Sequence, residues 1–119
     1  MAESPSIFTR IIAREIPADV LFENERVIAI RDINPQAPVH ALIIPKHEYS
    51  TVAELAASDP VLLAEVVSVA QSLADEHTAG DYRLVFNTGE RAGQTVFHVH
   101  AHLLGSAEGS ALEEGTLAQ

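Results

Sequence analysis

The sequence contains no cysteine and no tryptophan, and only 7 Lys and Arg stand against 17 Asp and Glu. Without cysteine there is no disulfide and no thiolate ligand, which excludes a cross-linked secreted scaffold and a zinc ribbon. A reducing, cytoplasmic setting is therefore the expectation. The formal charge of −10 argues against polynucleotide partners, which are held by neutralising phosphates with Lys and Arg. It leaves room for a small anion, because backbone N–H groups and a few side chains suffice to make one pocket locally positive. Long apolar runs are missing as well. Glu65 interrupts Val61–Val69 and the opening Met-Ala-Glu-Ser-Pro-Ser has no basic n-region, so neither a membrane span nor a signal peptide is expected.

What is present suits a globular chain: 119 residues, 47% of them hydrophobic, enough for one core and one domain. Residues 1–5 and the acidic stretch 106–119 carry little core-forming material and are expected to be loosely held. Between them helix and strand signals alternate. Ser6 is placed to cap a short helix with an apolar stripe of Ile7, Phe8, Ile11 and Ile12, closed by Pro17. Val20–Phe22 and Arg26–Ile33 form a hairpin across Glu23-Asn24-Glu25, and Val39–Ile44 is a third strand between two prolines. Asp59-Pro60 opens a long helix in which Leu62, Val66, Val69 and Leu73 recur at helical spacing until Gly80. Tyr82–Asn87 and Val96–Leu104 complete the set. Five strands and two helices, with hairpin-length connections, predict an α+β domain built on an antiparallel sheet, the long helix covering one face.

The chemistry concentrates in Phe97-His98-Val99-His100-Ala101-His102-Leu103-Leu104, which holds three of the six histidines. In a strand these three share one face, roughly 6–7 Å apart, while Val99, Ala101 and Leu103 face the core. Such an array reads as a solvated strand face, as a metal site, or as an acid–base and nucleophilic set in which one imidazole attacks while others orient it and move protons.

The run Gly93-Gln94-Thr95-Val96-Phe97-His98-Val99-His100-Ala101-His102-Leu103-Leu104-Gly105 resembles the signature of the histidine triad (HIT) superfamily, in its Hint branch of nucleoside phosphoramidases. Ile7-Phe8, Ile11-Ile12, Glu15-Ile16-Pro17, Asp32 through His40, Ile44-Pro45-Lys46 and Asn87-Thr88-Gly89 extend the likeness from Ile7 to Gly105, so that residues 6–105 form the expected domain. The resemblance implies that His100 is the nucleophile, attacking the α-phosphorus of a purine nucleoside 5′-phosphoramidate or acyl-nucleotide. The resulting nucleotidyl-histidine is then hydrolysed to the monophosphate. It implies that the His98 carbonyl accepts from His100 Nδ1–H, that His102 meets a phosphate oxygen, and that His40 completes a proton relay. Three clustered imidazoles cannot all be cationic cheaply, which favours a neutral nucleophile.

By the same likeness Asp32 clamps the ribose hydroxyls, although its place before Asn34-Pro35 also suits a turn. Phe8, Ile11, Ile16, Ile30, Ile33 and Leu42 match positions around the base. Asn87, Gly93, Gln94 and Thr95 match contacts to phosphate and leaving group, with Thr95 donating to the departing amine. Lys46, His47 and His77 read as surface or helix-end residues. The paired zinc-binding cysteines of many prokaryotic relatives are absent, as is the C-terminal aromatic residue of animal-type relatives, so no metal and no cofactor is expected. The likeness further implies a homodimer with a continuous ten-stranded sheet, to which the broadly apolar helix from Val61 to Leu73 lends support. Two other functions keep part of this pattern: hydrolysis of dinucleoside polyphosphates, as in the Fhit branch, and nucleotide or protein binding without turnover.

Overall fold

The computed structural model describes residues 5–106. The expectations for residues 1–4 and 107–119 lie outside the described residues; Pro5 is exposed, whereas Ser106 is buried.

Each element follows from a local signal. Helix α1 (Ile7–Ile12) starts where the Ser6 side chain accepts from Thr9 N–H, and it buries Phe8 and Ile11. Strands β1 (Val20–Glu23) and β2 (Val27–Arg31) are joined by a turn in which Asn24 Oδ1 accepts from the N–H groups of Arg26 and Val27. After β3 (Val39–Pro45) comes helix α2 (Val52–Ser58), then α3 (Pro60–His77), β4 (Arg83–Val85), a 3₁₀ turn at Glu90–Ala92, and β5 (Ala101–Gly105). Asp59 ends α2 with its N–H on Leu55 O and starts α3 with its side chain on Leu62 N–H. Pro60 costs nothing there, because the first-turn N–H it lacks would be unpaired anyway.

The sheet has the order β1-β2-β3-β5-β4, every pair antiparallel, so the expected α+β class and five strands are present. Alternation divides its residues between two faces. Val27, Ala29, Ala41, Ile43, Ala101 and Leu103 pack with Leu55 of α2 and with Leu62, Val66, Val69 and Leu73 of α3. On the opposite face Ile28, Ile30, Leu42 and Ile44 pack with Phe8 and Ile11 of α1. His40 and His102 belong to this second face, in step with Leu42.

Two expectations need correction. Among the described residues there are three α-helices, not two. The additional one, α2, is announced by Thr51-x-x-Glu54: Thr51 Oγ1 accepts from Glu54 N–H while Glu54 Oε1 accepts from Ser50 N–H, a reciprocal cap close to the usual capping box. The last strand spans only Ala101–Gly105, so His98 and His100 precede the ladder and do not lie in it. Val99 N–H donates to Tyr49 O at 2.7 Å, outside the sheet. The alternation of faces nevertheless persists, since Val99 joins the α3 core while Phe8 of α1 touches the rings of His98 and His100.

Gly105 closes β5 against the end of α3. A Cβ there would overlap Thr78 Cγ2 and lie 2.9 Å from Thr78 Cβ. Thr78 is buried and its Oγ1 is bonded to Ala74 O at 3.0 Å, so it cannot rotate away freely. Gly105→Ala is expected to lower unfolding free energy by about 1–3 kcal/mol, the usual cost of overpacking, in a urea titration.

Candidate active site

Four imidazoles, a carboxylate and a helix start meet on the α1 face of the sheet. His40 comes from β3 and His102 from β5, and their ring centroids are 5.2 Å apart. Asp32 follows the end of β2, where it continues the Ile28, Ile30 face. His100 lies 5.1 Å from His102, and Phe8 stands edge-on to His100 at 4.8 Å. All four imidazoles are buried.

Acceptor-only and donor-only partners determine which nitrogen carries each proton. His98 Nε2 faces the Pro45 carbonyl at 2.7 Å, so Nε2 carries hydrogen and Nδ1, 2.8 Å from Ser6 Oγ, accepts. His100 Nδ1 faces the His98 carbonyl at 2.8 Å, so Nδ1 carries hydrogen and the lone pair is on Nε2. His40 Nδ1 accepts from Gln36 N–H at 2.9 Å, which places hydrogen on Nε2. That N–H lies 2.9 Å from His102 Nδ1 and 3.3 Å from Asp32 Oδ2. His102 Nδ1 therefore accepts and its Nε2 carries hydrogen. Among the described residues this buried Nε2–H has no partner. A buried donor without an acceptor is unfavourable, and an incoming oxygen relieves it.

Burial favours the neutral rings. It is the largest influence on all four and pushes their pKa values below the ordinary 6.5. His102 is lowered to about 4, by burial first and then by its neighbours His100 and His40. Asp32 opposes the shift at His40, and the accepting carbonyls of Pro45 and His98 oppose it at His98 and His100. Near neutral pH the site thus offers an uncharged imidazole nitrogen with a free lone pair, a donor beside it, and the His40 N–H shared between His102 and Asp32.

Ligand atoms of Asp32, His40 and His102 all lie within 4.8 Å of one another, close enough to consider a metal. Their protons do not suit one. With His40 Nδ1 accepting from Gln36, neutral His40 carries hydrogen on the nitrogen that faces the cluster, and a metal there would need an imidazolate or a broken Gln36 bond. The donor set is that of a hydrogen-bonded imidazole pair beside a carboxylate.

The remaining expected residues fall into three groups. Phe8, Ile11, Ile30 and Leu42 are buried together and Ile16 packs against them, whereas Ile33 is 90% exposed beside Asp32. A cleft of about 250 Å³ runs along Ile11, Arg14, Ile16, Pro17, Ala18 and Val20. Asp32 Oδ1 accepts from Asn34 N–H at 2.8 Å, so the carboxylate forms the turn as well as facing His40. In the loop before β5, Gly93 adopts φ +98°, the left-handed region that favours glycine, 3.8 Å from the Asn87 amide measured from where a Cβ would stand, and Thr95 is exposed.

The Gln94 side-chain amide is bonded within the protein. Its Oε1 accepts from Gly89 N–H at 2.9 Å, and its Nε2 donates to Ser50 O at 2.7 Å and Val96 O at 3.2 Å. The buried amide is thereby engaged inside the protein and staples the loop to the segment before α2. Lys46 pairs with Glu23, the His47 ring packs at a tilt against Tyr49 and His77 faces Glu76. Sequence reasoning passed over Ser6, read only as a cap, and Gln36, whose contribution is a backbone N–H that no side-chain pattern reveals.

Comparison with known proteins agrees with this geometry. The family profile described as HIT domain matches residues 13–109. The purine nucleoside phosphoramidase of Escherichia coli K12 is 44% identical over 107 residues, covering 88% of this chain and 89% of the relative. A HIT family hydrolase from Clostridium thermocellum superposes with a TM-score of 0.82 at 44% identity, over 92% of this chain and 96% of that one. One from Legionella pneumophila gives 0.83 at 42% identity, over 93% and 98%.

Proposed function

The chain belongs to the HIT domain family and is a nucleotide hydrolase with a histidine-centred site; from that premise we propose that it cleaves the P–N or acyl–P bond of purine nucleoside 5′-phosphoramidates and acyl-nucleotides through a covalent adduct on His100. The observation that carries this reading is the neutral His100 ring, with Nδ1–H on the His98 carbonyl and the Nε2 lone pair available.

The Nε2 lone pair attacks the α-phosphorus, the P–N bond breaks, and the amine leaves with a proton supplied by Thr95. The His102 Nε2–H meets a non-bridging phosphate oxygen, which supplies its missing acceptor, while the His40 Nε2–H, itself beside Asp32, occupies the His102 Nδ1 lone pair and so keeps the His102 proton on Nε2. Water then attacks the nucleotidyl-histidine and gives one proton back to the Thr95 oxygen, the P–Nε2 bond breaks to return neutral His100, and the monophosphate departs. Asp32 holds the ribose hydroxyls. Phe8, Ile11, Ile16, Ile30, Leu42 and the exposed Ile33 flank the base. Asn87 and Gly93 approach the phosphate, with Gln94 holding their loop in place. No metal or organic cofactor enters this scheme.

Two chains pairing through α3 and an edge strand would form the ten-stranded sheet. The exposed Val61 and Val67 on α3 and the short edge strand β4 support that assembly. No helix among the described residues is long and apolar enough to cross a membrane, which is compatible with a cytoplasmic enzyme acting on mononucleotides and not on polynucleotides.

The test is to mix the protein with the tryptamine phosphoramidate of adenosine, quench in alkali and search for a nucleotidyl adduct by mass spectrometry. Turnover with an adduct on His100 is expected. Cleavage of diadenosine polyphosphate in preference to the phosphoramidate would indicate the Fhit-like activity, and binding of AMP without turnover of either would indicate a binding module. In the same assay Asp32→Asn, which preserves an acceptor for Asn34 N–H, should raise KM about 10- to 100-fold, the equivalent of losing charge-assisted bonds to the ribose.

A further inference from the structure

We infer that the Ser6 hydroxyl at the start of α1 is a positioning group for the nucleophile, acting through the ring of His98, with Thr9 and Glu48 as its outer supports. The inference rests on the reading of His100 as nucleophile.

His98 is 0% exposed and its polar atoms have assigned tasks. The ring is held at both ends, by Pro45 O at 2.7 Å and by Ser6 Oγ at 2.8 Å. Its carbonyl accepts from His100 Nδ1–H. In a trans peptide the C=O and the following N–H point in opposite directions, so Val99 N–H on Tyr49 O at 2.7 Å directs the His98 carbonyl toward His100. Side chain and peptide of His98 are thus anchored independently, and Ser6, 92 residues away in sequence, is one of the anchors.

The direction of each bond follows from the tautomer. Because His98 Nε2 carries hydrogen, Nδ1 requires a donor, and Ser6 supplies its O–H. Ser6 Oγ accepts from Thr9 N–H at 3.0 Å as the helix cap, and Thr9 Oγ1 donates to Glu48 at 2.8 Å. The same helix carries Phe8, which packs against both His98 and His100. One hydroxyl therefore joins a helix cap to the nucleophile's support, and capping alone does not explain its bond to His98. Capping needs only an acceptor; His98 needs a donor.

That difference provides the test. Steady-state kcat and KM with the tryptamine phosphoramidate of adenosine, thermal melting, and ¹⁵N NMR of the histidine rings are measured for wild type, Ser6→Ala, Ser6→Thr and Ser6→Asp. Ser6→Ala should lower kcat about tenfold with KM within about twofold, as expected for misplaced reacting groups. Ser6→Thr, which retains acceptor and donor, should restore most of kcat. Ser6→Asp caps the helix as well as serine does, so its melting temperature should be retained while kcat falls as in the alanine variant. Its carboxylate should hold a proton on His98 Nδ1 and raise that ring's titration, in a setting where Glu48 favours and His47 and His100 oppose the cation. Wild-type kcat in Ser6→Asp would reduce Ser6 to a cap and overturn the inference. If wild type shows no turnover, the proposed activity fails instead, and the NMR arm still decides the positioning claim. A His100 ring shifted toward Nε2–H in Ser6→Ala supports it, and unchanged His98 and His100 tautomers overturn it.

Discussion

Replacing His100 by alanine should reduce phosphoramidate turnover by about 10⁴-fold or more, the scale of loss when a covalent nucleophile is removed, and should eliminate the nucleotidyl adduct. The size of the effect follows from the site's geometry. His100 has its non-attacking nitrogen held by a carbonyl, its face packed by Phe8 and its charge suppressed by burial. His98 and His40 have their ring nitrogens bonded to protein partners, and His102 offers an N–H in place of a lone pair. None of the three is ready to attack without rearrangement. Nucleoside monophosphate binding should survive His100→Ala nearly unchanged by calorimetry, because Asp32 and the apolar wall remain. An adduct found on another residue, or more than about a tenth of wild-type turnover in the variant, would contradict nucleophilic catalysis by His100.

Acid should destabilise the fold well before the carboxylates are fully protonated. The pKa values of His40, His98, His100 and His102 are lowered in the folded protein, so the unfolded chain binds more protons as pH drops through 6.5. Stability from these groups is fully present above the unfolded value and is lost as pH falls toward the folded one. For His102, displaced from 6.5 to about 4, the full loss is on the order of 3 kcal/mol, of which about 2 kcal/mol is expressed by pH 5. The other three rings act in the same direction. Urea unfolding at pH 7.5 and pH 5 should reveal a drop of at least this size, and His102→Asn should make the dependence shallower by about one proton. A flat profile between those pH values would mean that the rings are not held neutral. Catalysis should fail further into acid than the onset of destabilisation, since the folded His100 keeps its nucleophilic lone pair below the ordinary imidazole pKa.

Local signals read well from the chain where they were strong. Asp59-Pro60 followed by Leu62, Val66, Val69 and Leu73 gives the start and buried face of α3, and those residues do pack on the sheet. Ser6 caps α1 as its position implies. Helix α2 escaped because seven residues between Thr51 and Asp59 offer little periodicity, although the capping residues announce it. The overlong final strand had another cause. Alternation of His98, Val99, His100, Ala101 and His102 is satisfied by extended backbone whether or not a neighbour pairs with it, and periodicity does not record where ladder bonds stop.

Composition and spacing alone determined the α+β class, with one apolar and one imidazole-bearing side to the last segment, and led to the expectation of a single domain ill suited to polynucleotides. The histidine motif, read with the residues around it, determined the family. Tertiary structure decided what each imidazole is able to do, because protonation depends on partners distant in sequence: Pro45 and Ser6 for His98, Gln36 for His40, and His40 for His102. It also engaged the Gln94 side chain as a loop staple and bonded the Ser6 hydroxyl to His98 as well as to its helix. A side chain's chemistry is written in the sequence, but its charge and its free lone pair are set by burial and by the single atom that faces it.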